Sequence, residues 1–222
     1  MKEIKIVPSL MCCDFLNLNN EIKDLEKSGV DLFHIDIMDG NFVDNFAMSG
    51  TEIKSIKRIT NIPLDVHLMV KEPLRYIKYF VDAGADIITV HIEACTHLNR
   101  TLQEIKNNNV KVGIALNPGT SHLLLEPIVD YLDIVLIMAV NPGFAGQDFI
   151  PSTVNKVKKT RDFLNSLGFN NVEIEVDGHI DIQTIPPLYD AGARIFVAGT
   201  AGLFYGDRNY EENVKKLRSC VY

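Results

Sequence analysis

An α/β fold closed into a single (β/α)8 barrel, the TIM barrel, is what this 222-residue sequence predicts, and three observations carry the prediction. Short runs rich in β-branched and apolar residues alternate with longer amphipathic stretches. The alternation recurs roughly every 25 to 30 residues, the size of one βαβ step, and it occurs eight times. Most of the short runs, such as Ile134-Val135-Leu136-Ile137 and Ile195-Phe196-Val197-Ala198, are apolar on both faces, as parallel strands covered by helices must be. Eight such units close more naturally than they stay open, so an open doubly wound sheet is the lesser alternative and residues 1-222 are expected to form one domain.

The elements follow in order. Strands are expected near 4-9, 31-37, 63-69, 86-92, 110-116, 133-139, 172-177 and 194-198. Helices fall between them, near 17-28, 49-58, 73-83, 97-108, 151-166, 181-190 and 208-218. A weaker helical pattern at 121-127 runs into Pro127, which lacks the N–H a continuing helix needs. Several helices close in a glycine turn, at Lys27-Ser28-Gly29, Asp82-Ala83-Gly84 and Asp190-Ala191-Gly192, where glycine takes the left-handed conformation that stops a helix. No linker, low-complexity tract or second domain interrupts the alternation.

Composition narrows the functions. A net charge of -7 without a basic cluster argues against nucleic acid as a partner. No apolar run is long enough to cross a membrane, and the start Met1-Lys2-Glu3-Ile4 lacks the apolar stretch of a signal peptide. Cys12 and Cys13 are adjacent, Cys95 and Cys220 stand alone, and no CxxC spacing exists, so they read as reduced thiols of a cytoplasmic protein.

In a barrel of this kind chemistry gathers at the carboxyl ends of the strands. Unexpected polar residues collect there: Ser9, His34 and Asp36, Asp65 and His67, His91 and Glu93, Asn117, Asn141, and Asp177. Period-two alternation puts His34, Asp36 and Met38 on one face of the second strand, Asp65, His67 and Met69 on one face of the third, and Glu173, Glu175 and Asp177 on one face of the seventh. His34, Asp36, His67 and Asp177 make a mixed nitrogen and oxygen set suited to one divalent ion such as zinc, manganese, cobalt or iron. Two glycine-rich loops, Asn141 to Gln147 and Ala198 to Gly202, follow the last strands, where such barrels commonly cradle a phosphate with N–H groups at a helix start. Met38, Met69 and Met138 lie at strand ends and read as a wall of low polarity around the reacting carbon. His179 follows Asp177-Gly178 and can reach a bound ligand, whereas His97 and His122 read as surface residues. No lysine ends a strand, and no GxSxG, Walker or GxGxxG motif is present, which removes Schiff-base, serine-hydrolase and nucleotide chemistry.

With these residues assembled the chain resembles the ribulose-phosphate 3-epimerase family along essentially its whole length. The carriers are Pro8-Ser9-Leu10, His34-Ile-Asp36-Ile-Met38-Asp39-Gly40, Asp65-Val-His67-Leu-Met69-Val70, His91-Ile-Glu93-Ala94, Asn141-Pro-Gly-Phe-Ala-Gly-Gln147, Glu175-Val-Asp177-Gly178 and Gly199-Thr200. The resemblance implies a metal-dependent ketose-phosphate epimerase that inverts C3 through a metal-stabilised enediolate. By matching position it makes His34, Asp36, His67 and Asp177 the metal ligands and Asp36 and Asp177 the two proton-transfer carboxylates. Ser9, His67 and Gly178 become substrate contacts, and Gly143, Phe144, Ala145 and Gly146 with Gly199 and Thr200 hold the phosphate. It also implies a small-molecule sugar phosphate as the only partner besides further copies of the chain, as a dimer or hexamer.

The departures from the family pattern bear on substrate. Asp44 stands where proline is usual, Ala139 where threonine is frequent, Ala145 and His179 where glycines are common, and Gly199-Thr-Ala-Gly-Leu-Phe204 replaces a Gly-Ser-Ala. The Ser9-Leu-Met-Cys12 opening, the Gly143-Phe-Ala-Gly146 loop and the Gly199-Thr-Ala-Gly-Leu-Phe204 end resemble the D-allulose-6-phosphate 3-epimerase branch, so a six-carbon substrate is expected, with ribulose 5-phosphate as the alternative. The rivals are a phosphate-binding decarboxylase or synthase, which would carry a lysine among aspartates near the place of His34, and a barrel that binds a sugar phosphate without catalysis.

Overall fold

Strand and helix alternate from one end to the other of the computed structural model, which describes residues 3–221. The strands are β1 (Lys5–Pro8), β2 (Phe33–Met38), β3 (Leu64–Met69), β4 (Ile87–His91), β5 (Lys111–Leu116), β6 (Ile134–Met138), β7 (Glu173–Asp177) and β8 (Ile195–Ala198). Each lies within two residues of its expected ends. All ladders are parallel, and the sheet order β1-β8-β7-β6-β5-β4-β3-β2 brings the first and second strands to its two edges. A Ser9–His34 bridge and a hydrogen bond from the Asp31 N–H to the Ile6 carbonyl then join those edges. The result is the expected barrel.

Why the strands sit inside is visible in their side chains. β2 and β3 are buried at every position. Outward residues such as Ile35, Val66 and Val90 join one large core with helix residues such as Leu25, Ile53 and Leu102. Each fully buried aliphatic side chain contributes ~1.5–3 kcal/mol by leaving water. Leu32, Ile87, Ile134 and Ile195, from or beside even-numbered strands, cluster separately with Val7. Four side chains from alternate strands are how such a barrel fills its interior.

The helices are α1 (Leu18–Lys27), α2 (Gly50–Lys57), α3 (Ile77–Ala83), α4 (Leu98–Asn107), α5 (Ser152–Ser166), α6 (Ile185–Asp190) and α7 (Tyr210–Ser219). Three differ from expectation. The stretch at 73–83 splits into a 3-10 turn, Pro73–Arg75, and α3. α6 begins at Ile185 rather than 181, because Asp181 Oδ1 accepts the N–H groups of Gln183 and Thr184 in a turn of its own. Between β5 and β6 the chain forms a 3-10 helix, His122–Tyr131, that continues past Pro127 where a stop was expected. Its i→i+3 bonding closes ladder links over fewer residues than an α-helix, so one missing N–H interrupts less of it.

Among the described residues no helix is long and apolar enough to cross a membrane.

Candidate active site

β2, β3 and β7 each carry polar side chains to the mouth of the barrel. Because side chains alternate along a strand, Ile35 and Ile37 enter the helix-facing core while His34 and Asp36 turn inward. His34 and His67 are fully buried and Asp36 is nearly so, while Asp177 is half-buried. One donor atom from each of His34, Asp36, His67 and Asp177 lies within 4.8 Å of all the others. His34 Nε2 is 3.5 Å from Asp36 Oδ1, and His67 Nδ1 is 3.3 Å from the same oxygen. The two imidazole nitrogens face each other at 3.2 Å.

That set fits a divalent ion. Two nitrogens and two carboxylates are the donors zinc and its first-row neighbours take, and the ring orientation agrees. His34 Nδ1 donates to Asp65 Oδ2 at 2.9 Å, which leaves the Nε2 lone pair turned toward the other three groups. Asp65 in turn accepts from Thr89 Oγ1 at 3.1 Å.

The two mouth carboxylates differ in their proton affinity. Burial alone would discourage ionisation of Asp36, but the neighbouring imidazoles, His34 first and then His67, outweigh it and hold Asp36 well below the usual range. Asp177 is pushed up to about 7 by burial and then by the negative charge of Asp36. Asp36 thus raises the affinity of its partner. Near neutral pH one carboxylate is ionised and the other holds a proton for much of the time.

A pocket opens above this group. Ser9, Asp36, Asp177, Met38, Met69 and Met138 line it together with the loops after β6, β7 and β8. The three methionines therefore do form a common wall. His34 and His67 do not line the pocket; both are fully buried with the ion-fitting group. Ser9 Oγ donates to Asp36 Oδ2 at 2.6 Å. Asp36 Oδ1 faces the imidazoles and Oδ2 faces Ser9.

Gly143, Phe144, Ala145, Gly146, Gly178, His179, Gly199 and Thr200 all reach the same pocket. Gly178 has φ +115, and a Cβ there would lie 2.8 Å from the Val140 backbone nitrogen, so only glycine fits. His179 also has a positive φ, 50, and its Nδ1–H donates to the Gln147 carbonyl at 2.7 Å, tying the β7 loop to the β6 loop. The N–H groups of Ala145, Gly146 and His179 donate to no acceptor among the described residues. The expectation of phosphate at a helix start is corrected: neither glycine loop runs directly into a helix. After β8 the chain makes a turn in which Leu203 and Phe204 donate to the Gly199 carbonyl, and α7 begins only at Tyr210; after β6, α5 begins at Ser152. Loose N–H groups of the turns themselves are the anion donors available here.

Met11 and Cys12, read in the sequence as part of the Ser9-Leu-Met-Cys12 opening and not as site residues, also line the pocket. They belong to the 3-10 turn Leu10–Cys12, whose three residues carry no periodicity to read. Glu175 was legible by its spacing from Asp177, and it is fully buried inside the barrel. His97 is exposed and His122 half-buried, both away from the pocket as expected.

Comparison with known proteins agrees with this geometry. The family model of the ribulose-phosphate 3-epimerase family matches residues 5–204. The chain is 46% identical to a ribulose-phosphate 3-epimerase of Bacillus subtilis (strain 168) over 215 residues, covering 97% of this chain and 98% of that one. It is 40% identical to a ribulose-phosphate 3-epimerase of Escherichia coli (strain K12) over 99% of this chain and 96% of that one. A chloroplastic ribulose-5-phosphate-3-epimerase of Arabidopsis thaliana is likewise 40% identical, over 98% of this chain and 77% of that one. Among solved structures, 3-hexulose-6-phosphate synthase superposes with a TM-score of 0.72 at 17% identity, covering 99% of this chain and 100% of that one, a likeness of fold alone. Matched by the family model over all eight strands and by relatives over nearly its full length, the chain belongs to the ribulose-phosphate 3-epimerase family.

Proposed function

We propose that the chain is a divalent-metal-dependent ketose-phosphate 3-epimerase that interconverts D-ribulose 5-phosphate and D-xylulose 5-phosphate. The observation that carries the reading is the pair Asp36 and Asp177, two carboxylates of unequal proton affinity that line one pocket beside a set of ion-fitting donors. The five-carbon substrate is favoured over the hexulose phosphate expected from the Ser9-Leu-Met-Cys12 opening, the Gly143-Phe-Ala-Gly146 loop and the Gly199 to Phe204 end, because relatives at 40–46% identity over nearly the whole chain carry the ribulose-phosphate name. A cytosolic homo-oligomer is part of the proposal, supported by four free cysteines and by the exposed side chains of Leu16 and Phe46.

Inversion beside a ketone needs a base on one face of the carbon and an acid on the other. A divalent ion held by His34, Asp36, His67 and Asp177 would act as a Lewis acid for the negative charge that develops on the ketone oxygen, worth several kcal/mol. Asp36, ionised, takes the C3 proton through Oδ2, the oxygen turned away from the imidazoles. Ser9 holds that oxygen in place. Asp177, protonated, returns a proton to the opposite face, and the two exchange states at each turnover. Met38, Met69 and Met138 keep water from the reacting carbon, while the N–H groups of Ala145, Gly146 and His179 hold the phosphate.

The test is kcat/KM for ribulose 5-phosphate beside allulose 6-phosphate, in the native chain and in Asp36→Asn and Asp177→Asn. The five-carbon sugar should be preferred, and each variant should lose roughly 10²–10⁴-fold or more in kcat. Near-native turnover in either variant would overturn the two-carboxylate scheme, and a preference for the six-carbon sugar would overturn the substrate.

A further inference from the structure

We infer that His91 and Glu93 form a hydrogen-bond relay that sets the tautomer of His67, so that its Nδ1 lone pair faces the ion-binding group. The inference rests on the reading of that group as a divalent metal site. Neither His91 nor Glu93 lines the pocket, and neither has a place in the proton transfers above.

His67 lies between two neighbours. Its Nδ1 is 3.3 Å from Asp36 Oδ1 and 3.2 Å from His34 Nε2, while its Nε2 is 2.8 Å from His91 Nε2. Two ring nitrogens at 2.8 Å need one N–H and one lone pair between them, and the pair alone does not say which ring donates. The decision comes from the far side of His91. Its Nδ1 faces Glu93 Oε2 at 3.3 Å, and an ionised carboxylate can only accept. His91 therefore carries its proton on Nδ1 and presents a lone pair at Nε2. With an ion held between His67 Nδ1 and Asp36 Oδ1, Asp36 is engaged by the ion and Glu93 is the carboxylate that calls for a ring proton, so His67 donates from Nε2 and turns its Nδ1 lone pair toward the ion-binding group. The opposite polarity would aim the His91 Nδ1 lone pair at the Glu93 carboxylate and the His67 Nδ1 proton at the ion.

The surroundings hold each part of the relay. His91 is fully buried, stacked on His67 with ring centroids 4.9 Å apart and an interplanar angle of 24°, and Phe42 packs on it at 4.8 Å. Glu93 sits on the 3-10 turn Ile92–Ala94 that ends β4, where its Oε1 accepts from the Asn117 N–H at 2.9 Å and from the Thr120 hydroxyl. Those two donors fix which oxygen is left for His91. His34 is oriented directly by Asp65, whereas His67 is oriented by a carboxylate acting through an intervening imidazole. A metal-ligating histidine whose other nitrogen is held in this way is the better ligand.

The geometry makes Glu93→Gln an informative variant. The Asn117 and Thr120 donors keep the amide oxygen where Oε1 was, so the amide NH2 replaces Oε2 and donates to His91 Nδ1. The polarity of the whole relay then reverses. Affinity for Mn2+ or Zn2+, measured on the full chain by competition with a chromophoric chelator, should weaken roughly 10–100-fold. Imidazole 15N chemical shifts of the Zn2+-loaded native chain should show His91 protonated at Nδ1 and His67 at Nε2. Finding His91 protonated at Nε2 in the native chain, or an unchanged ion affinity in a folded Glu93→Gln, would overturn the relay. A native chain that binds neither ion overturns the metal reading and the relay's role with it, whereas the tautomers of the ion-loaded native chain decide the relay alone, also if the variant does not fold.

Discussion

Glu175 illustrates how a single side chain can work against the fold that surrounds it. It is fully buried in the barrel, and neither carboxyl oxygen has a hydrogen-bond partner. Burial, and then the negative charge of Asp65, raises its proton affinity well above the ordinary value. The sign of the consequence follows from linkage. The native chain binds this proton more tightly than the unfolded chain, so stability falls as pH rises above the unfolded value of 4.5. Glu175→Gln removes the ionisable group, and its melting temperature relative to the native chain should rise between pH 4.5 and pH 8, by about 2 °C or more in chelator-treated protein. A difference that stays flat with pH would count against a protonated Glu175. The period-two rule made Glu175 and Asp65 visible in sequence as partners of Asp177 and His67. That both belong beneath the site, beside His34, depended on strands that are far apart in the chain.

Elements of secondary structure hold these residues in place, and their ends were the least legible part. α2 starts at a capping box: Ser49 Oγ accepts from the Thr51 N–H, and Glu52 Oε2 accepts from the Ser49 N–H. Ser49→Ala should cost about 1 kcal/mol. For a chain of this size that lowers the melting temperature by ~2–4 °C, measurable by calorimetry, with kcat unchanged because α2 contributes no pocket residue. The strands were read to within two residues because a buried parallel strand is apolar on both faces. The start of α6 was not, since Asp181 competes there for backbone N–H groups, and the 3-10 helix His122–Tyr131 differed at its far end, where it runs past Pro127. Such competition is settled by geometry that propensity does not contain.

Closure of the barrel is a property of the whole molecule. Arg218, near the end of α7, donates to the carbonyls of Ile4 and Gly29 and to Asp31 Oδ2. It thereby clamps the chain ends around the β1–β2 seam, where the ladder is reduced to the Ser9–His34 bridge and the Asp31–Ile6 bond. Arg218→Ala should cost about 1–3 kcal/mol of unfolding free energy in urea and leave ion affinity unchanged. A loss of ion affinity would mean that the seam also positions His34. The sequence by itself determined the eight β/α steps, the inward faces of β2, β3 and β7, and the residue types of the candidate site, because periodicity and residue chemistry are local. Only the tertiary structure decided that His91 and Glu93 stand behind His67, that the glycine loops present turn N–H groups rather than helix starts, and that Asp36 and Asp177 differ in proton affinity. Those outcomes depend on distances between residues tens to more than a hundred positions apart, and on burial that appears only when the ring of strands is closed.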